Sequence, residues 1–173
     1  MIHSLTPIQK HMVEEKTSHY IKLANELLSL QLERIDVRFD LSGRSSGMFV
    51  LKYGQMSIRY NEIIFSRYFD DALVNTVAHE VAHYVVCSVW GLKKVKPHGA
   101  EWKQVMQLFN VPAEVTSRYD VDGLPLKQQR RHQYACGCMT HQLTTTRHNK
   151  VQKKSAIYNC RKCHQPLKYQ SIS

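Results

Sequence analysis

The sequence predicts an α+β fold, in which long helices pack on one small sheet, followed by a short basic domain. Three observations favour this arrangement. Apolar residues recur at helical intervals in two long segments, two β-rich runs are separated by a short link, and acidic residues are confined to positions 1–122. The chain has 173 residues, of which 43% are hydrophobic. This composition is typical of a folded globular protein and excludes a disordered or fibrous one.

The N-terminal part predicts one long helix and a sheet of about three strands. Proline in the first turn and apolar residues at helical spacing predict a helix over residues 7–32. An alternating stretch at 35–41 predicts a strand. The runs 48–53 and 56–60 are separated by a short glycine-containing link, which favours a hairpin.

Two further helices are expected in the middle of the chain. Residues 72–90 carry apolar side chains on two broad faces, so this helix should be mostly buried, with Asp70 or Asp71 as its cap and Gly91 as its end. A second helix should begin near His98 and end before Pro112.

The buried helix contains the pattern His79-Glu80-Val81-Ala82-His83. Residues four apart share one helix face, with Cβ atoms about 5–6 Å apart, so both imidazoles can converge on one metal ion. Glu80 lies roughly 100° around the helix, where it can polarise a metal-bound water without occupying a coordination position. Zinc suits such a site because it accepts imidazole nitrogens and lowers the pKa of its water to about 7.

A catalytic zinc needs a third protein ligand. The compact arrangement with glycine and histidine three and six residues after the second histidine is absent, because these positions hold Val86 and Val89. His98 is preferred, since it lies at the mouth of the next helix, where an antiparallel return could bring it over the site. Glu101 is an alternative carboxylate ligand, and Cys87 is better explained as a core residue.

A second metal site is predicted near the C-terminus. Cys160 and Cys163 form a CxxC pair, and Cys138 with His141 has the same spacing. Two such pairs predict a zinc ribbon held by these four residues, with Cys136 as an alternative to His141. Redox thiols or plain buried cysteines are the competing interpretation. Metal binding would supply folding energy to a segment with little apolar core.

All of the net charge of +10 comes from residues 123–173, which hold ten basic residues and no acidic one. Such a block favours an anionic partner, and nucleic acid is the commonest. Cations interleaved with tyrosines predict binding of DNA, single-stranded or without sequence preference, through phosphates and stacked bases. The expected contacts are Arg147, Lys150, Lys153, Lys154, Arg161 and Lys162. A solubilising tail is the simpler alternative.

The sequence predicts a cytoplasmic location. The longest apolar stretch, residues 81–92, is interrupted by polar side chains and falls short of the roughly 18 residues of a membrane span. The N-terminal residues lack the apolar run of a secretory signal. We therefore expect no membrane partner, and no motif indicates a nucleotide cofactor.

The sequence blocks HEVAH, PHGAEW, YACGC and YNCRKCHQPL occur in this order and resemble the bacterial SprT proteins. They are more distantly similar to the metalloprotease domain of the eukaryotic Spartan proteases. The resemblance covers residues 57–167. It implies that His79, His83 and His98 bind zinc and that Glu80 is catalytic, which supports His98 over Glu101. It also implies a DNA-contacting zinc module and action on proteins crosslinked to DNA.

The hypothesis is therefore a zinc metallopeptidase with a small zincin-like core in residues 1–122 and a zinc ribbon in residues 123–173. Its substrate would be a DNA-associated or DNA-crosslinked protein. The alternative is a non-catalytic DNA-binding or regulatory zinc protein whose HExxH metal is structural or idle. An open cleft beside His79 would favour the enzyme, whereas a fourth protein ligand from Cys87 or Glu101 would favour the alternative.

Overall fold

A computed structural model describes residues 4–115, 119–127 and 130–170. The chain divides into two compact units, Met1–Leu126 and Lys127–Ser173. The predicted α+β class is confirmed. The first unit contains α1 (Pro7–Leu28), β1 (Asp36–Arg38), β2 (Gly47–Lys52), β3 (Gln55–Tyr60), α2 (Glu62–Arg67), α3 (Phe69–Asp71), a π-helical turn (Ala72–Thr76), α4 (Val77–Trp90) and α5 (Ala100–Leu108). The second unit contains β4 (Arg131–Ala135), β5 (Thr140–Thr144), α6 (Thr145–Gln152) and β6 (Lys168–Tyr169).

Helix α1 begins with a reciprocal cap and ends earlier than predicted. The Thr6 side chain accepts a hydrogen bond from the Gln9 backbone, and the Gln9 side chain accepts one from the Thr6 backbone. At the other end, Ser29 adopts a left-handed conformation with φ 52°. The Asn25 side chain then bonds both backbone groups of Leu32 at 2.8 and 3.0 Å. These bonds turn the chain away from the helix axis, so the helix does not reach residue 32.

The first unit contains one three-stranded sheet in the order β1-β3-β2. Strand β3 is central, parallel to β1 and antiparallel to β2, and its residues Ile58 and Tyr60 are fully buried. The β2–β3 hairpin turns at Tyr53 and Gly54, which both have positive φ, as a two-residue hairpin turn requires. In this order β2 is an edge strand. The backbone groups on its outer side therefore do not pair with another strand of this sheet.

A continuous helical segment packs against the sheet and supplies a large share of the core. It passes from α3 through the π-helical turn into α4, which buries Val77, Val81 and Val85 completely. The segment begins one turn earlier than predicted, with Tyr68 at the cap position of α3. Asp71 precedes the π-helical turn, as expected for a helix from residue 72, but its backbone is helical and its side chain makes no cap hydrogen bond. Helix α4 packs against α1, α5 and β2, and ends at Gly91 as predicted.

The second unit has a much smaller core. Its sheet has the order β5-β4-β6, and α6 follows β5 directly. Tyr134, Leu143 and Cys160 are its buried hydrophobic residues within the described part of the chain. Three buried residues supply little hydrophobic stabilisation, so this unit needs another source of folding energy.

Across the three described ranges, no helix combines the length and apolar character that crossing a membrane requires.

Candidate metal centre

Three imidazole rings of the first unit meet at one point. His79 and His83 lie one turn apart on α4, and His98 lies in the segment before α5. Their Nε2 atoms form a triangle with separations of 3.2 Å between His79 and His83 and 3.0 Å from His98 to each. The structure thus gathers all three histidines that the sequence singled out for the first metal.

The triangle has the donor chemistry of a metal site. Each neutral imidazole nitrogen is either a donor or an acceptor, so three mutually contacting Nε2 atoms cannot all be paired donor to acceptor. A cation at their centre removes this conflict because all three can then present lone pairs. Ligands of a tetrahedral zinc with Zn–N distances of about 2.0–2.1 Å lie about 3.3–3.4 Å apart. The observed separations are close to this value, so the three residues fit the ion.

The surroundings keep these rings neutral. Burial lowers the pKa of His79 to about 4 and that of His83 to about 3, and the neighbouring rings contribute to both decreases. Burial also lowers the pKa of His98. The backbone of Glu114 acts in the opposite direction and raises the pKa of His79. Neutral imidazoles carry the lone pairs that metal binding requires.

The indole ring of Trp102, in α5, packs against all three imidazole rings. Its centroid lies 4.8 Å from those of His79 and His98 and 5.8 Å from that of His83. Its indole N–H donates to the His79 backbone carbonyl at 3.3 Å, and its side chain is buried. His98 has φ 56°, a left-handed conformation in which histidine is enriched, and this backbone turn precedes Gly99, the α5 cap. Both features position the third ring.

The side chain of Glu80 extends from α4 to the edge strand β2. Its Oε2 accepts a hydrogen bond from the Phe49 backbone N–H at 2.7 Å, and only 6% of the residue is exposed. Burial raises the pKa of Glu80 to about 7, while the Phe49 hydrogen bond offsets part of this increase. A Cβ atom added to Gly47 would lie 2.7 Å from Glu80 Cγ. Glycine at this position therefore permits the close approach of the strand to the carboxylate.

Two cavities open beside the histidines. One of ≈ 630 Å³ and one of ≈ 430 Å³ share His79, Glu80 and Gly47 in their walls. The smaller cavity also touches His83 and His98. The three nitrogens therefore border space in which a substrate could approach.

The two alternative ligands do not join this group. Among the His, Cys, Asp and Glu side chains of the described ranges, the cluster comprises His79, His83 and His98 alone. Cys87 is buried in α4, and burial raises the pKa of its thiol, as expected for a core cysteine. Glu101 lies in the first turn of α5, outside the cluster.

The second unit brings four cysteines together. The Sγ atoms of Cys136, Cys138, Cys160 and Cys163 all lie within 4.8 Å of one another. Individual Sγ separations are 3.4 Å for Cys136–Cys138 and 3.8 Å for Cys138–Cys160. Thiolates around a tetrahedral zinc with Zn–S of about 2.3 Å lie about 3.8 Å apart. The four sulfur atoms therefore fit a metal ion, and Cys136 is one of the four.

His141 lies beside this cluster rather than within it. Its position on β5 brings its Nε2 to 3.4 Å from Cys136 Sγ. The backbone N–H of Cys138 holds the pKa of Cys136 down to about 5, with a further contribution from His141. The backbone N–H groups of Cys163 and Lys162 likewise lower the pKa of Cys160. Backbone donors therefore favour thiolates, and the assignment of His141 as a ligand stays a prediction.

The predicted nucleic-acid contacts are all exposed. They lie on α6, in the turn after it and between Cys160 and Cys163: Arg147, Lys150, Lys153, Lys154, Arg161 and Lys162. The Arg147 guanidinium lies 5.5 Å from the centroid of the Tyr158 ring. Since the second unit contains no acidic residue, these cations have no carboxylate side chain as a partner within it.

Several residues that shape the first site were not predicted from the sequence. Gly47, the Phe49 backbone and Trp102 surround Glu80 and the histidines. A signal existed for Trp102, which stands four residues after His98 in the PHGAEW block. No local pattern marks Gly47, because its role depends on its proximity to a residue 33 positions later.

Comparison with known proteins identifies the class to which this arrangement belongs. The model of the SprT-like family matches residues 17–129. The chain is 37% identical over 153 residues to Protein SprT of Vibrio parahaemolyticus serotype O3:K6, covering 88% of each chain. It is 35% identical over 171 residues to Protein SprT of Vibrio atlanticus, covering 98% of each. No solved structure matches it significantly. The chain belongs to the SprT-like family, which confirms the predicted resemblance.

The close approach of Gly47 to Glu80 generates a first prediction. In Gly47→Ala the new Cβ would lie 2.8 Å from Glu80 Oε1 and 2.8 Å from Thr76 Cγ2. We expect the free energy of unfolding to fall by about 1–3 kcal/mol, as for other overpacked sites. Denaturant unfolding followed by tryptophan fluorescence measures this, because Trp90 and Trp102 both lie in the first unit. Gly137→Ala is the control, since its Cβ meets nothing within 4 Å. Equal stability of the two variants would contradict the packing argument.

A second prediction concerns removal of metal from the full chain. The first unit has an extensive apolar core, whereas Tyr134, Leu143 and Cys160 are the buried hydrophobic residues described in the second. A chelator should therefore make residues 127–168 sensitive to trypsin while the first unit stays resistant to the protease. Adding zinc back should restore resistance. Equal protease resistance with and without chelator would show that the second unit folds without metal.

Proposed function

We propose that this chain is a zinc-dependent metallopeptidase of the SprT-like type with a zincin-like core. The observation that carries the proposal is the triangle of Nε2 atoms from His79, His83 and His98 next to the buried carboxylate of Glu80. Three neutral imidazoles would hold the ion and leave one tetrahedral position for a reactant. Zinc in such a site supplies Lewis acidity that polarises a carbonyl group and makes water nucleophilic near neutral pH.

Glu80 is the general base in this proposal. Its carboxylate takes a proton from the attacking water and gives it to the leaving amine. The Phe49 N–H at 2.7 Å fixes the orientation of the carboxylate, and Gly47 leaves room for it. Burial raises the pKa of Glu80 to about 7, which suits a group that must both accept and release a proton near neutral pH.

The edge strand β2 provides a place for the substrate backbone. Its Phe49 N–H points towards Glu80, so the unpaired side of the strand faces the site. An extended peptide can add to such an edge through backbone hydrogen bonds. These backbone contacts would align a scissile carbonyl beside the histidines.

The rival interpretation is a DNA-binding or regulatory protein with a structural or idle metal at HExxH. A structural zinc site is closed by a fourth protein ligand. Cys87 and Glu101 were the expected sources, and neither is part of the histidine cluster in the described ranges. The two cavities beside His79 and Glu80 further favour the enzyme.

We further propose that the second unit is a zinc ribbon that binds DNA, so that the peptidase acts on DNA-associated or DNA-crosslinked proteins. Zinc held by the four cysteines would be structural, giving two ions for the chain. Support comes from ten basic residues with no acidic one in this unit.

We also propose a cytoplasmic location, because a reducing cytoplasm would keep the clustered thiols available for metal.

Glu80→Gln tests the catalytic proposal. Glutamine keeps the shape of the side chain and can still accept the Phe49 hydrogen bond, but it cannot take a proton. We expect peptidase activity on an unfolded protein such as casein to fall by at least about 100-fold, the lower range for a lost general base. Zinc analysis should still find two ions, whereas His79→Ala should retain one. Cleavage by Glu80→Gln at the wild-type rate would exclude this mechanism.

Removing surface cations tests the DNA proposal. Lys150→Ala with Lys154→Ala removes two exposed charges from α6 and the turn after it. We expect weaker binding of a single-stranded oligonucleotide, and a salt slope smaller by about 0.7 for each phosphate that is no longer neutralised. Fluorescence anisotropy across a series of salt concentrations measures both. Lys22→Ala with Lys103→Ala removes the same charge from the first unit as a control. An identical decrease in affinity for both double variants would refute a specific surface on the second unit.

A further inference from the structure

The smaller cavity of the first unit begins at the histidine triangle and is mostly apolar. It has a volume of ≈ 430 Å³ and touches His79, His83 and His98. Its apolar walls come from β2, α4, the segment before α5 and α5 itself: Met48, Phe49, Val86, Leu92, Val95 and Trp102. Binding cavities of this size are usually lined by apolar side chains with a few polar groups that fix orientation.

The cavity continues the metal-facing side of α4. Val86 lies three residues after His83 and seven after His79, so all three share one helix face. Towards the opening, Leu92 is 47% exposed and Met48 is 42% exposed. Apolar side chains at a cavity mouth gain from being covered by another apolar group. The apolar surface therefore extends from the reacting centre to the outside.

The larger cavity on the other side of Glu80 has a different character. Its walls include a set of charged and hydroxyl-bearing side chains: Arg44, Asp71, Thr76, Glu114 and Tyr119. The two cavities share Gly47, His79 and Glu80. A peptide that crosses the site would therefore meet a mostly apolar cavity on one side and one with mixed polar and apolar walls on the other.

The mouth of the apolar cavity is also positively charged. Lys96 lines the cavity, and Lys93 and Lys94 lie in the same segment between α4 and α5. All three are exposed, and none forms an ion pair within the described ranges. The cavity's own acidic group is the buried Glu80. The charge pattern favours an acidic residue beside the apolar one and opposes a basic residue.

We propose that this cavity is a substrate pocket that selects a polypeptide segment with a large apolar side chain next to an acidic residue. The inference rests on the proposed peptidase function and names the substrate chemistry of that same site. The apolar side chain would enter between Val86 and Trp102, while the acidic neighbour would face Lys96 at the mouth.

Binding to the zinc-loaded, full-length Glu80→Gln protein tests the pocket separately from turnover. The probes are fluorescent decapeptides that are identical except at two adjacent central positions, which hold Leu-Asp, Ser-Asp or Leu-Lys. We expect Leu-Asp to bind about tenfold more tightly than Ser-Asp, the lower range of discrimination by an apolar pocket. It should also bind more tightly than Leu-Lys, because the lysine would face Lys96 at the mouth. Anisotropy gives the dissociation constants, and a change in intrinsic tryptophan emission should accompany occupancy of the cavity, because Trp102 lines it.

Two variants in the same background assign the effects to particular side chains. Leu92→Asp should reduce the preference for Leu-Asp over Ser-Asp to about onefold to threefold, because it places a charge at the apolar mouth. Lys96→Glu should reverse the preference between Leu-Asp and Leu-Lys. Leu27→Asp is the matched control, because Leu27 is 50% exposed on α1 and lines neither cavity. It should keep the wild-type preferences.

The outcomes separate this inference from the proposed function. If wild type cleaves protein substrates but all three peptides bind equally, the pocket is refuted and the peptidase stands. The same conclusion follows if Leu92→Asp and Leu27→Asp behave alike. If wild type cleaves no protein and no peptide binds, both proposals fail. Preferential binding that disappears in Leu92→Asp and is reversed in Lys96→Glu establishes the pocket.

Discussion

The triangle of imidazole nitrogens is the constraint on which the first unit depends. Three Nε2 atoms about 3 Å apart cannot satisfy one another with hydrogen bonds, so holding them there requires rigid support from outside. Helix α4 supplies two rings through its spacing. The left-handed backbone at His98 and the wall formed by Trp102 supply the third. A metal ion at the centre would remove the conflict among the three nitrogens, while the surrounding core already holds the rings in place.

The same helix joins this centre to the sheet. Glu80 is fixed by the Phe49 N–H, and the absence of a side chain at Gly47 lets β2 approach the carboxylate. Because β2 pairs with the buried strand β3, the position of Glu80 is set by the core itself rather than by a surface loop. The proposed base and the proposed peptide-binding edge thus move as one rigid body, which keeps the carboxylate and a bound backbone in register.

Helical spacing made part of the site predictable from sequence. The interval from His79 to His83 dictates a shared helix face, and the motif block marked His98 as their partner. Other features depend on tertiary contacts. Helix α6 has a polar sequence without apolar periodicity, and forms where the Thr144 cap and the His148–Tyr134 hydrogen bond support it. The π-helical turn before α4 and the six-residue helix α2 likewise lack a distinctive pattern. Spacing alone could not separate Cys136 from His141, because Cys136 belongs to the sulfur cluster and His141 Nε2 lies only 3.4 Å from its Sγ.

The two candidate metal sites would serve different physical purposes. In the first unit, a full hydrophobic core already positions the three histidines, so an ion held by them would be available for chemistry rather than for folding. In the second, Tyr134, Leu143 and Cys160 give little apolar burial among the described residues, while ten positive charges repel one another. There a metal ion bound by four thiolates would crosslink the fold and place negative charge near the cations. On the proposed function, an ion would serve reactivity in one unit and folding in the other, which would account for the different chemistry of the two ligand sets.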